Sequence, residues 1–241
     1  MRKLLLEKIR LTWYLYFLFA TFFLIKLQIP KIELGSGALT LFSVNSFLYG
    51  FYIGPIMSGQ KARIEELTRI IRSEANALFS MLLETQKFSD KTKNELQDLF
   101  SHYVREVLRD RRIAQGEPEY EAIISYCLKY DGKDKAQMMQ LLDKVVANQQ
   151  NRTQFNMLMS SRVYSNEWMV MLILFTITVI FILLVNTNGI LGLNILSAFL
   201  AAALSMLIVV LIKLNTLTHK KAKEIWAPLQ KLLATNYYRI D

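Results

Sequence analysis

Two histidines, His102 and His219, and one cysteine, Cys127, are the side chains of this 241-residue chain suited to soft metals or thiol chemistry. They are too few for a typical Cys and His zinc site, which needs four ligands. His102 reads as a partly exposed helix residue, His219 as a base beside a membrane span, and Cys127 as a small apolar packing residue. No Gly-rich loop ending in Lys-Ser/Thr, no Gly-x-Ser-x-Gly and no His-Glu-x-x-His occurs. The carboxylates Glu65, Glu66, Glu74 and Glu84 alternate with Lys and Arg as solvated helix faces do. Catalysis is not expected, and neither a cofactor nor a metal is called for.

The remaining polar chemistry lies inside long uncharged runs. No Asp, Glu, Lys, Arg or His occurs from Leu34 to Gln60, or from Trp168 to Ile212. A helix needs roughly 20 apolar residues to cross a hydrocarbon core of about 30 Å, so the second run is long enough for two crossings. The chain therefore reads as an all-α membrane protein with four transmembrane helices. The first pair occupies 1–58, with spans at about 11–27 and 38–57. A charged helical domain follows over 59–166. The second pair occupies 167–214, with spans at about 168–185 and 190–212, and an amphipathic helix follows over 215–241. The first span is short, and either snorkelling of its bounding Arg10 and Lys26 or extension through Leu27 to Ile29 would make up the difference. Pro55 should kink the second span or mark its last turn.

The formal charge is +9. The middle domain is nearly balanced, and the surplus sits beside the apolar runs, in Arg2, Lys3, Lys8 and Arg10, then Lys213, Lys220, Lys221 and Lys223. That is the pattern of positive charge retained on the cytoplasmic side rather than of nucleic-acid binding. It places both termini and the middle domain in the cytoplasm of a multi-pass plasma (inner) membrane protein. In the middle domain the apolar residues Ile64, Leu67, Ile71, Leu78 and Leu82 mark one face of a helix over about 59–87. Ser89 and Asp90 are N-cap candidates for the next, Gly116 and Pro118 open a short third, and a fourth is expected to run without interruption into the third span.

The second span is the most polar of the four. Ser46, Gly50, Gly54 and Ser58 recur every four residues and form a small-residue face suited to close helix packing. Ser43, Phe47 and Phe51 form the adjacent row, which would make a hydrophobic constriction if several copies surrounded an axis. Lys61 and Arg63 follow at an expected inner mouth. The later spans hold no ionisable side chain, which argues against a proton-driven carrier.

Tyr49-Gly-Phe-Tyr-Ile-Gly-Pro55, Ala62-Arg-Ile-Glu-Glu-Leu67 and Arg72-Ser-Glu-Ala-Asn-Ala-Leu78 resemble the bestrophin-like family of bacterial membrane proteins. Leu211-Ile-Lys-Leu-Asn215 and Ala227-Pro-Leu-Gln-Lys-Leu232 are similar to its closing region. The chain departs from the family where Asn215, Leu217 and His219 replace an Asp-x-Pro and Gly stretch. It departs again where Arg109-Asp-Arg-Arg112 stands near an expected acidic-aromatic motif. Roles of those acidic residues do not carry over. The resemblance implies a homo-oligomeric ring, commonly of five subunits, in a lipid bilayer, with the second span lining a path for small ions. The competing expectation is a non-conducting, membrane-anchored scaffold or sensor whose cytoplasmic helical domain binds a protein or a small ligand, with Arg105, Arg109, Arg111 and Arg112 as a contact patch.

Overall fold

The computed structural model describes residues 9–218 and 224–234, which are helical throughout apart from turns and one isolated β-bridge. The helices are α1 (Leu11–Gln28), α2 (Ser36–Thr85), α3 (Asp90–Asp110), α4 (Glu117–Lys129), α5 (Lys135–Ser160), α6 (Ser165–Leu184), α7 (Leu191–Asn215) and α8 (Ala227–Leu233). Short 3₁₀ turns, Ile113–Gly116 and Glu224–Trp226, precede α4 and α8. His219 and the basic residues Lys220, Lys221 and Lys223 lie outside the described residues, as do Arg2, Lys3 and Lys8 and much of the expected C-terminal amphipathic helix. The described chain divides into two compact units, residues 9–62 with 162–218, and residues 63–161 with 224–234.

Four helices are long and apolar enough to cross a membrane. Three of them, α1, α6 and α7, lie wholly in the first unit, which α2 joins with its N-terminal half. Helix ends leave carbonyls without partners, and in a bilayer these must be met from within the protein. The Lys26 ammonium does this for α6, donating to the carbonyls of Ile182 and Leu183 at 3.0 Å and of Val185 at 2.7 Å. Lys26 is fully buried. Lys26 therefore does not snorkel, because carbonyl dipoles at the negative end of α6 hold its ammonium, and α1 instead extends to Gln28. At the same end Ile32 N–H donates to Leu184 and Asn186 N–H to Ile32. At the opposite end Lys213 donates to the Ile9 carbonyl at 2.9 Å, and Asn215 Oδ1 accepts from Val163 N–H at 3.1 Å.

Helix α2 runs antiparallel to α6. Asn45 donates to the Leu174 carbonyl at 3.0 Å and to Thr178 Oγ1 at 2.8 Å, Tyr49 stacks on Phe175, and Ile53 joins a core with Val163, Met171 and Leu211. The chain thus enters at Ile9 and leaves at Ala62, Arg162 and Thr218 at one end of this unit.

Two boundaries differ from the sequence expectation. Helix α2 passes through Pro55 without ending, so the second span and the first charged helix are one helix of 50 residues. The proline removes one backbone hydrogen bond, that to the Phe51 carbonyl, and costs no more than a membrane helix tolerates. Conversely, α5 does not continue into α6. It stops at Ser160, and the chain restarts at Ser165, where Glu167 accepts from Tyr164 N–H at 2.9 Å.

In the second unit, Leu67, Ile71, Leu78 and Leu82 of α2 are buried with Leu96, Phe100, Val104 and Val107 of α3, Ile123 of α4, and Leu141, Val145 and Phe155 of α5. The C-terminal segment seals it with Ile225, Trp226, Leu229 and Leu232, the Trp226 ring lying edge-on to Phe155 at 5.3 Å. Cys127 is buried here, and burial pushes its thiol up to about 11, as suits a packing residue.

Replacing Lys26 by Met leaves three carbonyls of α6 unmet, and charged hydrogen bonds of this kind are worth about 1.5–3 kcal/mol each at most. Lys26→Met is expected to lower the unfolding free energy of the purified protein in detergent by about 2–3 kcal/mol overall, read as a lowered unfolding midpoint. An unchanged midpoint would show that water meets those carbonyls equally well.

Candidate functional site

The span half of α2 packs on its neighbours through a narrow stripe, in which Tyr49 and Ile53 are buried and Asn45, Tyr52 and Ile56 are partly so. The opposite face is open. Ser43 is exposed, and Phe47 and Phe51 are each 69% exposed, their rings stacked on one another at 6.0 Å. On the neighbouring row, Gly50, Gly54 and Ser58 are exposed and Ser46 is partly covered, its hydroxyl buried without a partner. A Cβ added at Gly50 or Gly54 would meet nothing within 4 Å. Among the described residues, none fills the space over these two glycines.

The charged pair below this face separates. Lys61 is exposed. Arg63 is 6% exposed and donates to the Leu158 carbonyl at 2.7 Å and the Met159 carbonyl at 3.2 Å, so its guanidinium caps the last turn of α5. The arginines at the end of α3 are exposed, with Arg109 held by Glu106 at 2.8 Å and Arg111 closing the helix in a left-handed conformation. His102 is exposed near Asp98 at 3.6 Å. No group of three or more His, Cys, Asp or Glu that could hold a metal occurs among the described residues.

Of the carboxylates read as a solvated face, Glu65 is exposed, Glu66 pairs with Arg69, and Glu84 pairs with Lys87 and Lys144. Glu74 is the exception, at 0% exposure. It stands between Ile71 and Leu78 on the buried stripe of α2, and that position in the apolar spacing is the signal that it faces inward. Tyr103 of α3 donates to Glu74 Oε1 at 2.6 Å, while Oε2 makes no hydrogen bond.

Around this carboxyl α4 and α5 bring further polar groups. Arg152 of α5, 1% exposed, lies over the Tyr120 ring at 3.7 Å and near the Tyr103 ring at 5.5 Å. Its Nη2 pairs with Glu117, its Nη1 donates to Gln149 at 2.7 Å, and its Nε is buried without a partner. Tyr120 donates to the Val145 carbonyl at 2.7 Å and accepts from Asn148 at 3.2 Å. Gly116 permits this approach, since a Cβ there would fall 2.7 Å from both the Tyr103 ring and Val107.

Burial raises the Glu74 carboxyl to about 7, against the opposing pull of the Tyr103 hydroxyl, the Arg152 charge and the nearby Asn148 amide. Burial, reinforced by the Glu74 charge, raises the Tyr103 hydroxyl well above its ordinary range. Two carboxylates thus share one guanidinium. With Glu74 protonated the trio is neutral, and with it ionised the trio carries one net negative charge, of which the Glu117 share is 37% exposed and the Glu74 share is buried.

The comparisons agree with the membrane architecture. A sequence model described as the Bestrophin-like domain matches residues 38–218, which include the open face of α2 and all of the buried cluster. No curated protein and no solved structure matches the chain.

The raised carboxyl sets a pH dependence. Glu74 binds its proton more tightly folded, at about 7, than at its ordinary value of 4.5. Its contribution is fully present below about 4.5 and is lost as pH rises through about 7, for about 3 kcal/mol in all. Melting of the full-length protein in detergent across this range should show that decline, and Glu74→Gln should flatten it. Gly116→Ala should destabilise the protein by about 1–3 kcal/mol through overpacking against Tyr103.

Proposed function

The chain belongs to the bestrophin-like family, and from that premise we propose an oligomeric ion channel or pore of a bacterial inner membrane whose second span lines the ion path. The observation that carries this reading is the uncovered face of α2. It presents a row of Ser43, Phe47 and Phe51 beside a row of Ser46, Gly50, Gly54 and Ser58, with room for a neighbouring helix over the glycines. A second copy seated on the glycine row would turn the phenylalanine row toward a common axis, where apolar rings can gate by dewetting. Both termini and the helical unit lie in the cytoplasm on this reading. In support, the chain ends and junctions of the membrane unit fall at one end of it, where Arg10 and Lys213 lie. Selectivity rests with the exposed Lys61 rather than with Arg63, whose charge is held on α5. The protein is not an enzyme on this reading.

One observation favours the scaffold or sensor as the second reading. A groove of about 610 Å³ on the helical unit, lined by Lys91, Glu95, Leu99, Tyr126, Lys129 and Tyr130 among others, has the size of a small-ligand site.

The channel reading is tested by the mass of the complex in nanodiscs and by single-channel recording from the same sample. A closed ring is expected, with conductance altered by Phe47→Ala and Phe51→Ala. Gly54→Leu meets open space in the single chain and should leave its fold intact while breaking the ring. A monomer without current would contradict the proposal.

A further inference from the structure

Glu74 is the one fully buried carboxylate among the described residues of the helical unit, and four helices meet around it: α2 carries it, Tyr103 faces it from α3, Glu117 and Tyr120 from α4, and Asn148 and Arg152 from α5. Apart from the Asn148 amide, each of these neighbours is titratable or charged. The arginine cannot neutralise Glu74 alone, because its Nη2 is already held by Glu117 and its Nη1 by Gln149. Glu74 Oε2 and Arg152 Nε are both buried without partners. An ionised Glu74 draws on the Tyr103 hydroxyl and the nearby Asn148 amide but has no hydrogen bond at Oε2, whereas a protonated one brings no charge of its own into the core.

Solvent reaches close to this carboxyl. A groove of about 290 Å³ between α2 and α5 is lined by Ala77, Ser80, Met81, Lys144 and Asn151, with Asn148 in its wall. Asn148 also donates to Tyr120 inside the cluster. One side chain therefore separates the groove from the buried polar groups.

We propose that Glu74 is a proton-binding switch of the helical unit: protonated, it holds α2, α3, α4 and α5 in the packing described, and ionised, it loosens them toward the groove to hydrate Oε2. The reaction is a proton transfer between water in the groove and the carboxylate, with no other bond changed. The helix that carries Glu74 also forms the second span, without a break from Ser36 to Thr85. Occupancy of the switch is thus the means by which acidity regulates conduction, a consequence that rests on the channel reading, whereas the switch itself does not.

The switch is tested on the full-length protein in nanodiscs by infrared difference spectroscopy between acid and alkaline pH, with hydrogen exchange of α3 to α5 on the same samples. A protonated-carboxyl band lost near neutral pH, absent in Glu74→Gln, is expected. Over the same interval exchange in α3 to α5, corrected for its intrinsic pH dependence, should rise at least several-fold in wild type and stay constant in Glu74→Gln. Tyr103→Phe removes the donor that favours the ionised form, and should move the midpoint up by about one pH unit. This second variant serves if Glu74→Gln does not fold. No such band in the wild type, or one that both variants leave unmoved, overturns the proposal. Current from the same nanodisc protein separates the two claims. Infrared and exchange changes without current would sink the channel reading alone, and pH-independent current without the band would sink the switch alone.

Discussion

Carbonyl groups at helix ends need donors, and this protein meets several of them with basic side chains. Lys26 holds the carbonyls of Ile182, Leu183 and the capping Val185 at the end of α6, Arg63 holds two of α5, and Lys213, in the last turn of α7, reaches the Ile9 carbonyl ahead of α1. Each pairing joins parts of the chain that are far apart in sequence, so the charge acts as a clamp as well as a cap. The negative end of a helix favours a cation there, and the buried setting strengthens the bond while making its loss costly. Fixing α6 from Lys26 fixes in turn the surface on which α2 rests, through Asn45, Tyr49 and Ile53. What α2 leaves uncovered is decided by that seating.

The two halves of α2 solve opposite problems. In the membrane unit only a narrow stripe is buried, so small residues and phenylalanines remain outside. In the helical unit the same helix is buried along a continuous apolar stripe, and Glu74 interrupts it with a carboxyl. One helix thus joins an open apolar face to a buried ionisable group. The membrane half leaves its small residues and phenylalanines uncovered, and the other half surrounds a buried carboxyl raised to about 7.

Much of this was legible in the sequence. The apolar runs pointed to four helices long and apolar enough to cross a membrane, and the spacing of Leu67, Ile71, Leu78 and Leu82 identified the buried face of α2. Helix α3 begins at Asp90, and α4 at Glu117 just before Pro118, as the capping and turn residues indicated. Three things were not legible. The fates of Lys26 and Arg63 depend on which helix end lies nearby, a long-range fact that no local pattern encodes. The break before Ser165 reflects a partner distant in sequence, Asn215, which accepts from Val163 N–H, and the continuity of α2 through Pro55 overrides the local expectation of a boundary at a proline. Glu74 was hidden by its charged neighbours Arg72 and Glu66, although its place between Ile71 and Leu78 was the clue. Tyr103 and Tyr120 sit at apolar positions and gave no sign that their hydroxyls would meet a buried acid.

The central claim is that the exposed row of α2 faces an aqueous path, and water access along that row tests it most directly. In a Cys127→Ala background, single substitutions Ser43→Cys, Phe47→Cys and Phe51→Cys would be treated in nanodiscs with a charged, membrane-impermeant thiol reagent, with Leu196→Cys and Phe199→Cys on α7 as lipid-facing references. Rapid modification of the α2 row, with the α7 positions protected, is the predicted result. Equal protection of both sets would place Phe47 and Phe51 in lipid or in a dry helix contact, and would contradict the account.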